Sequence, residues 1–309
     1  MSAAQSKILV IKLAALGDVV QAFSPFAAIR AHHPQAWITL LTTPPFAKLL
    51  RRAPWFDEVW EDGRPSWSDP PALWRLARKL RGARFGRVYD LQTSARSSRY
   101  RLLVGSAAEW SGIAPGASHP HANPVRDAMH TADRQREQLA MAGIFDLPAP
   151  DLGWLDADLS AFALPERFAL LVPGASPGRP GKRWPLAQFA ALAAGLDLPC
   201  VVIGGKAEAA LGAAIGAAAP NTIDLIGRTG FAEIGALARR AAFCVGNDTG
   251  PTHMAAACFC PTLALFGDDS DPALCAPRGA RAAVLRHQPL THLPVAHVRA
   301  ALDRLRATP

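Results

Sequence analysis

The chain has 309 residues, half of them hydrophobic, and its formal net charge of +8 is carried almost entirely by arginine. This length and composition allow two ordinary domains or one large one. They exclude a solenoid repeat and an integral membrane protein, because no repeat period and no apolar run of transmembrane length is present. The five cysteines are odd in number and show no zinc-site spacing, which fits a reducing compartment.

In the first half of the chain, apolar runs alternate with helical patterns. Strands are predicted at 8–11, 37–41, 58–60 and 87–91. Helices are predicted at 19–32, 46–52 and 71–81. Strands that alternate with helices predict βαβ units and a parallel sheet.

The second half repeats this pattern. Strands are predicted at 168–172, 199–203, 222–226, 242–245, 262–266 and 281–285, and helices at 186–195, 208–218, 231–240 and 295–306. A Pro-rich stretch at 147–154 has linker character. The sequence thus predicts an α/β protein of two doubly wound, Rossmann-like domains facing across a cleft, with domains at 1–160 and 161–309. The final helix is a candidate to pack back on the N-terminal domain.

The segment FCVGNDTGPTHM, which begins at Phe243, is the most informative part of the chain. A buried strand ends in a Gly-rich turn, and an Ala-rich helix follows from about Thr252. Such a turn directs unpaired backbone N–H groups and the helix dipole at one point, and this arrangement attracts phosphate. Asp248 or Thr249 suits the N-cap, and Pro251 suits the first helical position. A well-capped connection without a ligand is an equally good interpretation of the segment alone.

Asp18 follows Gly17 at the start of the first predicted helix. It is either an N-cap or a general base at the carboxyl end of a strand. The two roles conflict, because a helix N-terminus lowers the pKa of a carboxylate and weakens it as a base. Ligands of doubly wound sheets bind beyond the carboxyl ends of the strands. The turns after Ile11 and Val245 therefore belong to the same kind of site.

Two further loops follow strands of the second half. The first is rich in Gly and Pro and carries the adjacent cations Lys182 and Arg183; it is either a phosphate ligand or a solvated basic loop. The second contains Gly204, Gly205 and Glu208, and the glutamate is placed to accept hydrogen bonds from ribose hydroxyls. His253 is interpreted as a packed or capping residue. No dinucleotide fingerprint, P-loop, HExxH or GxSxG motif is present, so the sequence predicts neither a nicotinamide enzyme nor a P-loop NTPase.

Arginines cluster in the first half, where one group lies on or just after a predicted helix and the other follows the next predicted strand. The cations of the two groups are Arg75, Arg78, Lys79, Arg81 and Arg84, and Arg96, Arg99 and Arg101. They form either a solvated helix face or a surface for an acidic acceptor, with Arg96 and Arg99 as candidate ligands. Nucleic-acid binding rests on charge alone, and no nucleic-acid motif supports it.

Four sequence strings, taken together and in order, resemble glycosyltransferase family 9, the bacterial ADP-heptose:lipopolysaccharide heptosyltransferases. They are IKLAALGDVV from Ile11, KRWP from Lys182, GNDTGPTHMAA from Gly246, and LFG from Leu265 with SDP from Ser270. The resemblance spans nearly the whole chain. It implies a GT-B fold and a metal-independent, inverting transfer of heptose from ADP-heptose to the lipopolysaccharide inner core, with no cofactor.

The resemblance also implies roles for individual residues. Asp18 matches the base; Lys182 and the backbone of Asp248, Thr249 and Gly250 match the diphosphate ligands; Glu208 matches the ribose ligand. The implied partners are an ADP-sugar and an anionic Kdo–lipid A acceptor at the inner face of the inner membrane. We therefore expect a cytoplasmic protein, which is consistent with an N-terminus that lacks a signal-peptide pattern.

The chain departs from the family pattern after Gly267, where it reads Asp268-Asp269-Ser270-Asp271-Pro272 and well-known members read Gly-Pro-Thr-Asp-Pro. The basic run that receives the acceptor in some members is also not matched at 61–65. A family member with another sugar or acceptor, a nucleotide-sugar epimerase and a non-catalytic nucleotide-binding homologue therefore remain alternatives. Turnover of the donor without an acceptor would identify an epimerase.

Overall fold

The computed structural model describes residues 5–307. The chain divides into two compact units, Met1–Trp154 and Leu155–Pro309. The division falls between the neighbouring residues Trp154 and Leu155 because their contacts lie in different units. The Trp154 ring lies 5.4 Å from the Trp55 ring. The carbonyl of Leu155 instead accepts a hydrogen bond from Arg239 at 2.5 Å. The boundary predicted at 160/161 therefore lies a few residues beyond the division.

The first unit contains a six-stranded parallel sheet in the order β3-β2-β1-β4-β5-β6. Its strands are β1 (Lys7–Ile11), β2 (Trp37–Thr42), β3 (Glu58–Glu61), β4 (Arg87–Asp90), β5 (Glu109–Gly112) and β6 (His119–Pro120). Its helices are α1 (Leu16–Gln21), α2 (Phe23–His32), α3 (Pro44–Leu50), α4 (Pro70–Ala83), α5 (Ala95–Val104) and α6 (Thr131–Met141).

The second unit has the same topology, with the parallel order β12-β11-β10-β7-β8-β9. Its strands are β7 (Ala169–Val172), β8 (Cys200–Val202), β9 (Thr222–Asp224), β10 (Phe243–Asn247), β11 (Thr262–Phe266) and β12 (Ala282–Arg286). Its helices are α7 (Leu186–Ala194), α8 (Ala209–Ala218), α9 (Phe231–Arg240), α10 (Gly250–Ala257), α11 (Pro272–Cys275) and α12 (Val295–Ala307).

These sheets confirm the predicted α/β class of two doubly wound parallel sheets. The central strands are largely buried and mostly apolar because helices cover both faces of a parallel sheet. All five residues of β10 and of β11 are buried. In each unit the strand order reverses between two central strands, β1 and β4 in the first and β7 and β10 in the second. Ligands of doubly wound folds bind beside this reversal.

Two predicted helix starts are wrong, and both concern the site. The helix predicted at 19–32 is two helices that meet at Ala22, and the first begins at Leu16 with Ala15 in the N-cap position. Asp18 is therefore the third helical residue and not the N-cap. Likewise, α10 begins at Gly250 and not at Thr252, which places Pro251 at the second position.

The elements between β4 and the linker lie where no element is predicted. Helix α5 is rich in Arg and Ser, α6 is mostly polar, and β5 and β6 are four and two residues long. Such segments lack the apolar periodicity on which a sequence-based assignment depends. The final helix lies close to its prediction. In its own unit, α12 packs on α7, β11 and β12, where Val298 and Leu302 are buried.

None of the helices described between residues 5 and 307 combines the length and the apolar character that crossing a bilayer requires.

We predict that Gly246→Ala destabilises the second unit. A Cβ there would lie 2.4 Å from Thr252 Oγ1 and 2.7 Å from Val172 Cβ, inside a closely packed strand. The expected loss of unfolding free energy is about 1–3 kcal/mol, measured by urea denaturation. Gly216→Ala in α8 is the control: no atom lies within 4 Å of its added Cβ. That variant should gain up to about 1 kcal/mol. Equal stability of the two variants would contradict the packing argument.

Candidate active site

The residues predicted for the site follow the strands that flank the reversal of strand order in each unit. In the second unit, Lys182 lies in the loop after β7, and Asp248, Thr249 and Gly250 follow β10. In the first unit, Asp18 lies beyond β1. This is the placement that the doubly wound fold provides for a ligand.

A three-residue network forms the centre of the second unit's site. Lys182 Nζ lies 2.5 Å from Asp248 Oδ2, and His253 Nε2 lies 3.1 Å from Asp248 Oδ1. Both oxygens of the Asp248 carboxylate are thus engaged. Asp248 and His253 are buried, whereas the Lys182 side chain retains some exposure. Of these three side chains Lys182 is therefore the most accessible to a ligand, and Asp248 holds its ammonium group.

The environment of Asp248 decides its protonation state. Burial alone would raise the pKa of its carboxyl, but the hydrogen bonds of His253 and Lys182 and their electrostatic interactions with it outweigh burial and lower the pKa to about 2. The carboxylate is therefore ionised at neutral pH. Because a fixed negative charge repels phosphate, Asp248 is not itself a phosphate ligand. Any phosphate contact from this turn comes from its backbone.

The first turn of α10 supplies backbone donors beside Lys182. Thr249 occupies the N-cap position, but its side chain makes no capping hydrogen bond to the helix. It instead points back toward the carbonyl of Asn247, at 3.4 Å. N–H groups in the first turn of a helix have no partner within the helix. The turn thus offers an anion the positive end of a helix next to an ammonium group.

Asn247 fixes the loop that carries Lys182. Its side-chain amide donates to the carbonyls of Pro173, at 2.8 Å, and Gly174, at 3.3 Å. Its side-chain oxygen accepts from the backbone N–H of Trp184 at 3.1 Å. Asn247 is completely buried, so these bonds are shielded from water. One side chain therefore holds both ends of the loop between β7 and α7.

The segment that departs from the family pattern holds the middle of the same loop. The Asp269 carboxylate accepts a hydrogen bond from the N–H of Gly181 at 2.7 Å. A Cβ added at Gly267 would lie 2.1 Å from the carbonyl oxygen of Gly181. The loop thus lies directly on the end of β11, where only glycine leaves room for it. The acidic segment after Gly267 has a structural role here, since Asp269 positions Gly181, the residue that precedes Lys182.

Glu208 lies over the ends of β7 and β8. Its Oε2 accepts from the N–H of Gly205 at 2.8 Å, and its carboxylate would clash with a Cβ at Gly174 or at Gly204. Gly174 also contacts Asn247, so Glu208 belongs to the same edge of the sheet as the Lys182 network. The glycines after β7 and β8 admit the close approach of this carboxylate.

In the first unit, Asp18 folds back on the turn that precedes its helix. Its Oδ2 accepts from the N–H of Ala15 at 3.0 Å. Gln92, which follows β4, fixes the same turn, since its Oε1 accepts from the N–H groups of Leu13 at 2.8 Å and Ala14 at 3.2 Å. Asp18 is half-buried and has a second carboxylate oxygen. The arrangement therefore presents an oriented carboxylate at the end of β1.

A buried ammonium and a buried carboxyl lie behind this turn. Lys12 Nζ donates to the carbonyl of Leu91 at 3.0 Å. Burial lowers the pKa of Lys12, while the negative charges of Asp18 and Asp90 oppose that shift. Burial raises the pKa of Asp90 to about 6, despite hydrogen bonds from its neighbours. Lys12 and Asp90 therefore interact electrostatically with each other, and Lys12 also interacts with Asp18.

The two candidate acceptor ligands, Arg96 and Arg99, lie on α5 around the Trp67 ring. Their guanidinium carbons are 5.9 Å and 5.4 Å from the ring centroid. Arg96 also donates to the carbonyl of Pro65 at 3.1 Å and so secures the loop after β3. Arg99 is exposed. Of the two, Arg99 is therefore the one free to contact a ligand with most of its donors.

Among residues 5–307, no three His, Cys, Asp or Glu side chains come together as a group that could hold a metal ion.

Sequence reasoning missed three positioning residues: Gln92, Asn247 and Asp269. Gln92 lies in a segment without a motif, and Asp269 was noted only as a departure from a pattern. Asn247 lies within the most informative string, but its role depends on a loop more than sixty residues earlier in the chain. The interpretation of His253 as a packed residue is confirmed by its burial.

The comparisons with known proteins agree with this geometry. The model of glycosyltransferase family 9 (heptosyltransferase) matches residues 73–304. Lipopolysaccharide heptosyltransferase 2 of Salmonella typhimurium is 28% identical over 312 residues, covering 91% of this chain and 88% of that protein. A family 9 glycosyltransferase from Veillonella parvula has a TM-score of 0.83 at 20% identity, covering 98% of each chain. Escherichia coli ADP-heptose lipopolysaccharide heptosyltransferase II has a TM-score of 0.77 at 24% identity, covering 97% of this chain and 98% of its own.

The two doubly wound units and the likeness to these solved structures define the GT-B fold. Because the family model covers most of its length, the chain belongs to glycosyltransferase family 9, the heptosyltransferase family. The family resemblance stated from the sequence is thereby confirmed.

We predict that Asp248→Asn costs stability in a pH-dependent way. The folded pKa of Asp248, about 2, lies below the value of about 3.9 for an unfolded chain. Its contribution is therefore present above pH 4 and lost as the pH falls toward 2. The variant should be about 2 kcal/mol less stable at pH 7, and the deficit should shrink between pH 4 and pH 2.

Urea denaturation at several pH values measures this deficit. Asp303→Asn, which removes an exposed carboxylate from α12 in the same unit, serves as the control and should show no comparable deficit. A deficit for Asp248→Asn that stays constant from pH 7 to pH 3 would contradict the assignment of ionised Asp248 as the partner of Lys182 and His253.

Proposed function

We propose that this enzyme transfers heptose from ADP-heptose to the inner core of lipopolysaccharide, with inversion at the anomeric carbon. Membership of family 9 and the activity named for its relatives support the proposal. The observation that carries it is the Lys182–Asp248–His253 network beside the first turn of α10. That network suits the diphosphate of a nucleotide sugar better than it suits a neutral ligand.

The second unit is proposed to bind the donor. Lys182 and the N–H groups of Thr249 and Gly250 would contact the diphosphate, and Glu208 would accept hydrogen bonds from the ribose hydroxyls. Asp248 would contribute by orienting Lys182. The ammonium and the helix N-terminus supply the positive charge that a divalent metal ion supplies in other transferases. The proposed reaction therefore needs neither a metal nor a cofactor.

The first unit is proposed to bind the acceptor and to supply the base. Asp18 would remove the proton from the acceptor hydroxyl as its oxygen attacks the anomeric carbon on the face opposite the leaving ADP. The bond to the diphosphate oxygen breaks as the new glycosidic bond forms. Because negative charge grows on the departing diphosphate, Lys182 and α10 would stabilise the transition state more than the ground state.

The acceptor is proposed to be an anionic Kdo–lipid A core, and Arg96 and Arg99 are proposed to meet its acidic groups. Arg99 would make the direct contact, and Arg96 would also hold the loop after β3 through Pro65. This acceptor places the enzyme in the cytoplasm, in contact with the inner face of the inner membrane. Offering a panel of nucleotide sugars with truncated lipopolysaccharide acceptors, and weighing the product, tests both substrates.

Asp18→Asn tests the base. We expect transfer to fall about 10²–10⁴-fold, while the ADP dissociation constant changes by no more than about twofold, because the donor ligands lie in the second unit. Calorimetry measures ADP binding, and mass spectrometry of the acceptor measures transfer. Asp69→Asn, which alters only the N-cap of α4, is the control. Transfer at the wild-type rate by Asp18→Asn would remove the base assignment and favour a non-catalytic homologue or another mechanism.

Lys182→Met tests the diphosphate site. Loss of the ammonium leaves the Asp248 carboxylate to repel the ligand, so we expect the ADP dissociation constant to rise about 10- to 100-fold. Arg183→Met is the matched control, since Arg183 is the adjacent cation but donates to the carbonyl of Ala175 at 3.0 Å. Equal losses in the two variants would mean that the loop acts by general charge and not through Lys182.

A further inference from the structure

The net charge of the protein is concentrated in one segment. Between residues 70 and 104, which span α4, β4 and α5, Lys and Arg outnumber Asp and Glu nine to one. This excess equals the formal net charge of the whole chain, +8, so the remaining residues carry equal numbers of basic and acidic groups. The one acidic residue of the segment, Asp90, is completely buried. No carboxylate from this segment therefore offsets its cations at the surface.

The two helices of the segment share a buried side and an outer side. Leu80 of α4 and Tyr100 and Val104 of α5 belong to one core cluster. The helices also contact each other, and Arg81 donates to the carbonyl of Leu102 at 3.0 Å. Residues that point away from this core therefore lie on a common surface. We call it the α4/α5 outer surface; it consists of Trp74, Arg75, Arg78, Arg81 and Leu102.

This surface combines cations with large apolar groups. Trp74 is 61% exposed and Leu102 is 70% exposed. Trp74, Arg78 and Arg81 follow one another at helical spacing, and the Arg78 guanidinium lies 5.4 Å from the Trp74 ring centroid. An exposed indole and an exposed leucine cost solvation free energy in water. Both side chains are more favourably solvated at a boundary that has an apolar phase on one side and water on the other.

We propose that the α4/α5 outer surface docks on an anionic lipid bilayer. Arg75, Arg78 and Arg81 would contact lipid phosphates, while Trp74 and Leu102 would enter the boundary between headgroups and acyl chains. A soluble polyanion would satisfy the arginines but leave both apolar side chains in water. The bilayer is therefore the partner that uses the whole surface. The docking surface extends the proposed function, because the proposed acceptor is itself a membrane lipid.

Vesicle sedimentation with the purified full chain tests the proposal without any sugar substrate. The wild-type protein should bind vesicles of phosphatidylcholine mixed with phosphatidylglycerol and should bind phosphatidylcholine alone much more weakly. Arg75→Gln combined with Arg78→Gln should weaken binding about 25-fold. Trp74→Ala combined with Leu102→Ala, which leaves every charge in place, should weaken it at least about tenfold.

Matched variants control for charge and for apolar exposure elsewhere. Arg167→Gln combined with Arg240→Gln removes two exposed cations from the second unit, and Phe259→Ala removes a side chain that is 63% exposed there. Both should bind vesicles as the wild type does. Failure of the wild type to bind, or equal losses in the control variants, would overturn the proposal. Full binding by Trp74→Ala/Leu102→Ala would also overturn the proposal. The surface would then act through its charges alone and would suit a soluble polyanion such as RNA.

A transfer assay separates this proposal from the proposed function. With a deacylated core saccharide in solution, both surface variants should transfer at the wild-type rate. With the acylated acceptor in vesicles, both should slow at least about tenfold. Absence of transfer to either acceptor by the wild type would refute the proposed function and leave the vesicle result standing. Equal slowing of the variants on both acceptors would show that the surface serves the reaction directly and would overturn its role in docking.

Discussion

The second unit's site depends on how one buried carboxylate is neutralised. Asp248 has lost most of its hydration, and an unpaired carboxylate there would be strongly destabilising. Lys182 from one loop and His253 from α10 together compensate it. The pairing orients the ammonium but also reduces the positive charge that a diphosphate would meet. The diphosphate of the proposed donor therefore competes with Asp248 for Lys182. The N-terminus of α10 adds an attraction for the diphosphate that Asp248 does not offset.

The two units share a topology but present opposite charges at their strand reversals. In the first unit a carboxylate, Asp18, is fixed by the backbone N–H of Ala15 and interacts electrostatically with Lys12. In the second unit an ammonium, Lys182, is fixed by a buried carboxylate. The same βαβ framework thus supports a candidate general base in one unit and, in the other, a cation that can stabilise negative charge. The proposed reaction uses both kinds of group, the first for the acceptor hydroxyl and the second for the departing diphosphate.

The sequence predicts the fold class well because the central strands are continuous apolar runs, as β10 and β11 illustrate. It fails between residues 92 and 141, where α5 and α6 are polar and β5 and β6 are very short. It also identifies Lys182 and Asp248 but not their contact, since 66 residues separate them. Asn247, Gln92 and Asp269 escape prediction for a related reason. Each acts through backbone groups of a distant loop, and hydrogen bonds of that kind leave no periodicity in the chain.

Because of the charge distribution, electrostatic attraction acts over different distances at the proposed donor site and at the α4/α5 outer surface. The second unit's sequence holds 14 Lys and Arg against 12 Asp and Glu, a net charge of only +2, so its net charge produces little long-range field. Recognition of a diphosphate there would rest on contacts of a few ångströms around Lys182 and α10, which salt screens weakly because the partners are partly buried. The charged residues of the α4/α5 outer surface are exposed and all cationic, so its attraction extends over a Debye length and weakens as salt rises. Ionic strength should therefore act mainly on docking, and much less on occupation of the donor site.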